Sequence, residues 1–261
     1  MFYKKWFDEN KSVLVAGDSH TYGAGHQNQH LDPFQEPPAS TSWPNHIWNQ
    51  NDYNNIAHPG SSNDDITQSV YDHFNQSIKI LAVMFTHPNR RKFYFENYGY
   101  TFTGENKFTD FSKKLRSPSY VYRICNNALE DSIRKEVYLK NKNIFRQIKE
   151  SMSSQQSTIS DHVNLLQNII AIQNLCLSKN VKFFWCTLES LPSKTKLDKN
   201  PYAFWQIGQL EKLIDFSKHF HINNDGMSEF AKKHGNIGPH FDFEVHELWG
   251  NQFKHFINTK I

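Results

Sequence analysis

No stretch of the 261-residue chain approaches the ~20 consecutive apolar residues that a membrane-spanning helix needs, so no membrane partner is expected. Met1 to Glu9 hold no apolar core of the secretory-signal kind. The expectation is a soluble protein folded in a reducing compartment, cytoplasmic in location. Cysteine is scarce: Cys125, Cys176 and Cys186 are widely spaced, odd in number and without a Cys-x-x-Cys pair. That argues against a disulfide framework and a zinc site and predicts small buried hydrophobes. A strong excess of one charge sign is also lacking. Lys and Arg number 29 against 26 Asp and Glu, a net +3 with a pI near 8.6. This is too mild a balance to imply nucleic acid.

What the chain does have is aromatic side chains. Hydrophobic content is low at 38%, but aromatic content is 15%, so aromatics must carry much of the burial. The length suits one large domain or two small ones. No internal repeat and no linker divides it, which predicts one domain over 1–261 with an insertion at about 93–152. Short apolar runs mark strands at Val13–Ala16, Tyr53–Ala57, Ile78–Phe85, Val181–Thr187 and Phe220–Ile222. Helical patterns lie between them: a start at Trp43 with Ser42 as cap, a segment through roughly His73, Thr158–Leu177, Tyr202–Phe216, and a last amphipathic helix ending near Ile257. This alternation predicts an α/β protein whose mostly parallel sheet is covered on both faces.

The insertion does not read as a strand–helix unit, and it is expected to be mostly helical. Residues 93–122 hold ten aromatics, and residues 105–150 hold eleven Lys and Arg against six Asp and Glu. Two readings stand. One is a small subdomain with its own aromatic core and a solvated basic face. The other is a platform at the site's mouth, where aromatics stack on sugars and the basic residues attract an acidic polymer.

Chemistry concentrates where strands end. The first strand runs into Gly17-Asp18-Ser19-His20, and ligands bind at the carboxyl ends of strands in open α/β sheets. A serine delivered there is a candidate nucleophile, and its hydroxyl needs a base and an oxyanion site. The same residues also suit an ordinary turn. The second strand leads into His58-Pro59-Gly60-Ser61-Ser62, a Pro-Gly turn with a helix cap. The third leads into Thr86-His87-Pro88-Asn89-Arg90-Arg91, and the last helix is preceded by Gly238-Pro239-His240-Phe241-Asp242.

Gly17-Asp18-Ser19, together with the glycine-bearing Thr21-Tyr22-Gly23-Ala24-Gly25, resembles the first block of the SGNH/GDSL hydrolases. The order of the later motifs is similar too. The resemblance implies a three-layer α/β/α sandwich of the flavodoxin-like type, no cofactor, and ester hydrolysis through an acyl-enzyme. It implies Ser19 as nucleophile and His240 as base. The oxyanion would be held by the Ser19 and Gly60 amides and by a group from the third loop: His87 nearest the family's asparagine, or Thr86 or Asn89. Asp18, Arg90, Asp242 and His246 would support them. The third block departs from the family pattern and resembles a Thr-x-x-x-Arg variant. Ile237 stands where the family has the aspartate that orients the base. Three alternatives follow: a backbone carbonyl takes that place, Asp242 or Asp225 substitutes, or the site is weakened. With fourteen histidines, the pair His240 and His246 lacks the companions of a metal site, and no metal is assigned.

The function expected is cleavage of a carboxylic ester, an O-acetyl or other short acyl group on a carbohydrate. The partner is then a small ester or an acylated carbohydrate. Two other classes remain: a binding or structural protein of the same fold, virion-associated if encoded by a phage, and a carbohydrate O-acetyltransferase.

Overall fold

A computed structural model describes residues 7–23, 38–95, 98–103, 122–123, 136–147, 158–191, 201–236 and 240–261. The strands are β1 Val13–Ala16, β2 Tyr53–Asn55, β3 Ile80–Phe85, β4 Arg90–Phe95, β5 Tyr98–Thr103, β6 Tyr122–Arg123 and β7 Lys182–Thr187. The helices are α1 Ser19–Tyr22, α2 Asn63–His73, α3 Thr158–Ser178, α4 Pro201–Glu211, α5 Met227–Lys233 and α6 Phe243–Asn258. Residues 136–140 and 142–147 are also helical.

Four strands form an all-parallel sheet in the order β2-β1-β3-β7. The central strands are apolar at nearly every position because both sheet faces are covered. Leu14, Ala16, Leu81, Val83, Phe85, Phe183 and Trp185 join one core with Ile66 and Val70 of α2, Leu166 and Ile169 of α3, and Ile207 of α4. The alternate residues Val13, Val15, Ala82, Met84, Phe184 and Cys186 join the opposite core, with Trp43, Phe230 of α5, and Trp249 and Phe253 of α6. The result is a three-layer α/β/α sandwich. Among its sheet strands the order is 2-1-3-4, the flavodoxin-type order, whose crevice opens between the first and third strands.

Several elements differ from their sequence expectation. The helix expected at Trp43 is a single 3-10 turn, Trp43–His46. The expected strand at Phe220–Ile222 is reduced to isolated bridges, His219 to Trp185 of β7 and Ile222 to Asp225. Helix α5 is absent from the sequence expectation. The stretch after the third strand is helical at 136–140 and 142–147, but it opens as an antiparallel sheet in the order β4-β5-β6, with Phe93 registered to Tyr100 and Phe95 to Tyr98. Its aromatic and threonine residues favour extended backbone, and charge and aromatic counts alone do not reveal that period. The rest of 93–152, Cys125 included, lies outside the described residues. Cys176 and Cys186 are free and buried, and burial pushes the Cys176 thiol up to about 12.

Acid should unfold this protein early. Burial pushes His20 and His162 down to about 4 and His219 to about 3, so all three are neutral when folded. Once unfolded they return to about 6.5 and bind protons first. Below pH 6.5 the unfolded state therefore holds more protons, and stability falls with pH, by up to about 1.4 kcal/mol per unit for each group. Thermal melts between pH 7.5 and 4.5 should show the midpoint dropping from pH 6.5 downward. A midpoint flat to pH 4.5 would contradict burial of these rings.

Candidate active site

β1 ends at Ala16 and the chain turns sharply. A side chain at Gly17 would place its Cβ 2.1 Å from Thr21 Oγ1, so only glycine fits. Asp18 caps α1: Oδ1 accepts the His20 N–H at 3.0 Å and its carbonyl accepts the Tyr22 N–H at 2.9 Å. Gly23, at φ +85°, closes this single turn. Ser19 is thereby fixed at the first helical position, and its amide has no acceptor among the described residues.

Asp18 is the hub of the site. Its Oδ2 accepts the Thr86 hydroxyl at 2.6 Å and Arg90 Nη1 at 3.0 Å, and Arg90 Nη1 also donates to the Ser61 carbonyl at 3.2 Å. Burial alone would raise the Asp18 carboxyl. The opposing charges of His20 and Arg90, the Thr86 hydrogen bond and the His87 charge lower it to about 2. At neutral pH His20 is uncharged, so Arg90 is the standing counter-charge. The loop from Thr86 to Arg90 is thus tied to Asp18 at both ends. Between them, the His87 carbonyl accepts the Arg90 N–H at 3.1 Å, with Pro88 second in the turn and Asn89 half-buried after it. The Thr86 hydroxyl proton is engaged by Asp18, which leaves that side chain no donor for an oxyanion. Asn63, which was not singled out from the sequence, fixes the same loop to α2. Its side chain accepts the Thr86 N–H at 2.9 Å and reaches the Thr86 carbonyl at 3.4 Å.

Gly60 lies in a turn closed by the Ser61 N–H on the His58 carbonyl at 3.2 Å. Pro59 is second and Gly60, at φ +83°, third, the pattern of a type II turn. Nothing among the described residues accepts the Gly60 N–H. The next residues form a capping box, with Ser62 and Asp65 exchanging hydrogen bonds at the start of α2.

The histidines divide into three settings. His240 lies just before α6, its ring 5.5 Å from His20, which stacks on Phe241 at 4.4 Å. Burial lowers His240 from its ordinary value, opposed by the Asp18 charge and aided by Arg90, so the ring is neutral at pH 7. No hydrogen bond to it is found among the described residues, and residue 237 lies outside them. Neither expected substitute acid is engaged with it: Asp242 is exposed at the cap of α6, and Asp225 pairs with Lys233. His246 lies on the buried face of α6, where Nδ1 accepts the Trp43 N–H at 3.2 Å. It serves the 3-10 turn that Ser42 leaves uncapped, since Ser42 Oγ donates to the Ala39 carbonyl. His87 Nδ1 meets Glu189 Oε1 at 2.6 Å. The His87 hydrogen bond keeps Glu189 below the ordinary carboxylate range. Glu189 was missed in the sequence; its signal was its place two residues beyond an apolar strand. Among the described residues no group of three or more His, Cys, Asp or Glu is placed to hold a metal ion.

Fold and site together define a doubly wound α/β protein with a buried serine and several imidazoles at the carboxyl edge of its sheet. The sequence matches no protein-family model, and no curated protein is significantly similar to it. Among solved structures, the chain is similar to one described as a carbohydrate esterase whose active site "displays divergent catalytic and non-catalytic binding functions". That match has a TM-score of 0.45 and 12% identity, covering 97% of this chain and 70% of the other.

Proposed function

We propose that this protein is a serine hydrolase that cleaves a carboxylic ester through an acyl-enzyme, in the manner of the SGNH/GDSL enzymes it resembles. One observation carries the reading. The Ser19 and Gly60 amides both lack an acceptor among the described residues, on the loops leaving β1 and β2, beside a serine and neutral imidazoles. Ser19 Oγ attacks the ester carbonyl and an imidazole takes its proton. The two amides hold the oxyanion that forms. The imidazole then returns the proton to the leaving alcohol, and water releases the acyl group by the same steps. Chain order points to His240 as that imidazole; its ring is neutral, but it has no hydrogen-bonded acid among the described residues. An O-acetyl or other short acyl group on a carbohydrate is the substrate class favoured by the aromatic and basic residues of 93–150, which could stack on sugars and draw an anionic polymer.

Among the described residues no acid is hydrogen-bonded to His240, which favours a second reading, a binding protein that keeps the fold with weak chemistry. An O-acetyltransferase would use the same serine but would depend on an acyl acceptor. The test is labelling with a fluorophosphonate followed by peptide mass spectrometry. Ser19 should carry the label. An unlabelled protein, or a label on another serine, would remove the hydrolase reading and leave the binding one.

A further inference from the structure

We propose that His87 and Glu189 form the working carboxylate–imidazole pair of this site, and that His87 Nε2 takes and returns the Ser19 proton. The proposal rests on reading Ser19 as the nucleophile. It begins with the tautomer. A carboxylate oxygen accepts but does not donate, so Glu189 Oε1 at 2.6 Å holds the proton on His87 Nδ1. In the imidazole form of that tautomer the lone pair lies at Nε2. That form cannot donate to an oxyanion, the role the sequence suggested for His87, but it can accept a proton from a hydroxyl. The orienting acid absent at position 237 is thus supplied on a different strand, through a different histidine.

The pair is held firmly from both sides. The His87 loop is tied to Asp18 by Thr86 and Arg90. The Glu189 turn is tied by four bonds. The Leu188 N–H donates to the Phe85 carbonyl at 2.8 Å, and the Leu188 carbonyl accepts the Ser228 N–H at 2.8 Å. The Ser190 N–H donates to Glu229 Oε2 at 3.0 Å, and Ser190 Oγ accepts the Gly226 N–H at 3.1 Å. A Cβ on Gly226 would lie 2.4 Å from the Glu189 carbonyl carbon, so α5 is docked closely against this turn. An exposed surface ion pair needs no such framework.

Strand order brings the three residues to neighbouring loops, and the residues just before His87 and Ser19 touch, the Thr86 hydroxyl donating to Asp18 Oδ2. Ala16 pairs with Val83, and Phe85 with Thr187. Ser19, His87 and Glu189 lie two or three residues past these pairs. They leave the adjacent strands β1, β3 and β7, each about 4.8 Å from the next. The His87 and Glu189 side chains are 31% and 44% exposed, which leaves the pair open to substrate and water.

The proton count closes. The Ser19 hydroxyl proton moves to His87 Nε2 as Oγ bonds to the carbonyl carbon. The same proton passes to the alcohol oxygen as the ester C–O bond breaks, and water repeats the cycle. Glu189 stays ionised and acts as a positioning residue.

The test measures kcat and KM on p-nitrophenyl acetate for the wild type, Glu189→Gln, His87→Asn and the double variant. Glutamine can donate to Nδ1 and hold the wrong tautomer. Glu189→Gln should therefore lower kcat about 10³–10⁴-fold, with KM within about three-fold and the melting temperature unchanged. Adding Glu189→Gln to His87→Asn should cost nothing more, because the two act as one unit. A kcat for Glu189→Gln within about ten-fold of wild type, or losses that simply add, would overturn the proposal. An unlabelled Ser19 would remove the hydrolase reading and this proposal with it. A labelled, active wild type beside an active Glu189→Gln removes this proposal alone.

Discussion

Ser19→Ala is expected to abolish release of p-nitrophenol from a short p-nitrophenyl ester, a loss of about 10⁴-fold or more in kcat. The melting temperature should move little. The substitution deletes one oxygen, and the backbone around it is built by other residues. The turn is closed by the Asp18 and Ser19 carbonyls on the Tyr22 and Gly23 amides, capped by the Asp18 side chain, and enforced by the lack of space at Gly17. The Ser19 and Gly60 amides survive the change, so a residual rate above that in water is expected from oxyanion binding alone. Parallel melts and initial rates on the same preparation check both halves. Turnover equal to wild type would move the chemistry to another group.

Arg90→Met should give the largest loss of stability of any substitution at the site. Removing the guanidinium leaves the Asp18 carboxylate fully buried with no permanent counter-charge, since His20 is neutral at pH 7. Breaking one side of a buried pair costs about 3–5 kcal/mol, a fall of roughly 10 °C in the midpoint for a chain of this size. The pH dependence has a definite sign. In the wild type the Asp18 carboxyl lies near 2, below its usual 3.8, so its contribution is full above 3.8 and is lost as pH falls toward 2. In the variant, burial acts without Arg90, the carboxyl rises, and ionising it at neutral pH becomes the cost. Asp18→Asn in the Arg90→Met background should therefore recover stability, with a coupling of about 2 kcal/mol or more. Chemical denaturation of the two single variants and the double provides the cycle. A double variant no more stable than Arg90→Met would mean that the buried charge is not what the guanidinium offsets.

The same loop carries His87, so Arg90 has a second consequence. Among the described hydrogen bonds, Thr86 would then be the remaining tie of residues 86–90 to Asp18. The stability of this loop and the placement of His87 depend on one buried carboxylate.

The features readable from the chain are those encoded within a few residues. Val13–Ala16, Ile80–Phe85 and residues 183–186 are apolar without alternation, as in strands covered on both faces, and that indicated the parallel sheet and its two helical layers. Pro59-Gly60 is a turn signal, Ser62 and Asp65 are spaced as a capping box, and Gly17-Asp18-Ser19 marks the end of the first strand. What the tertiary structure alone decided are the pairings across long separations. Asp18 meets Arg90 across 72 positions, His87 meets Glu189 across 102, and His246 meets the Trp43 amide across 203. Those contacts follow from strand order and register, which set which loops leave adjacent strands at one level. No local period carries that information. Glu189 and Asp242 are both acids just beyond or before an element, and their sequences do not distinguish them. Position beside β3 brought Glu189 to a histidine, while the start of α6 turned Asp242 to solvent.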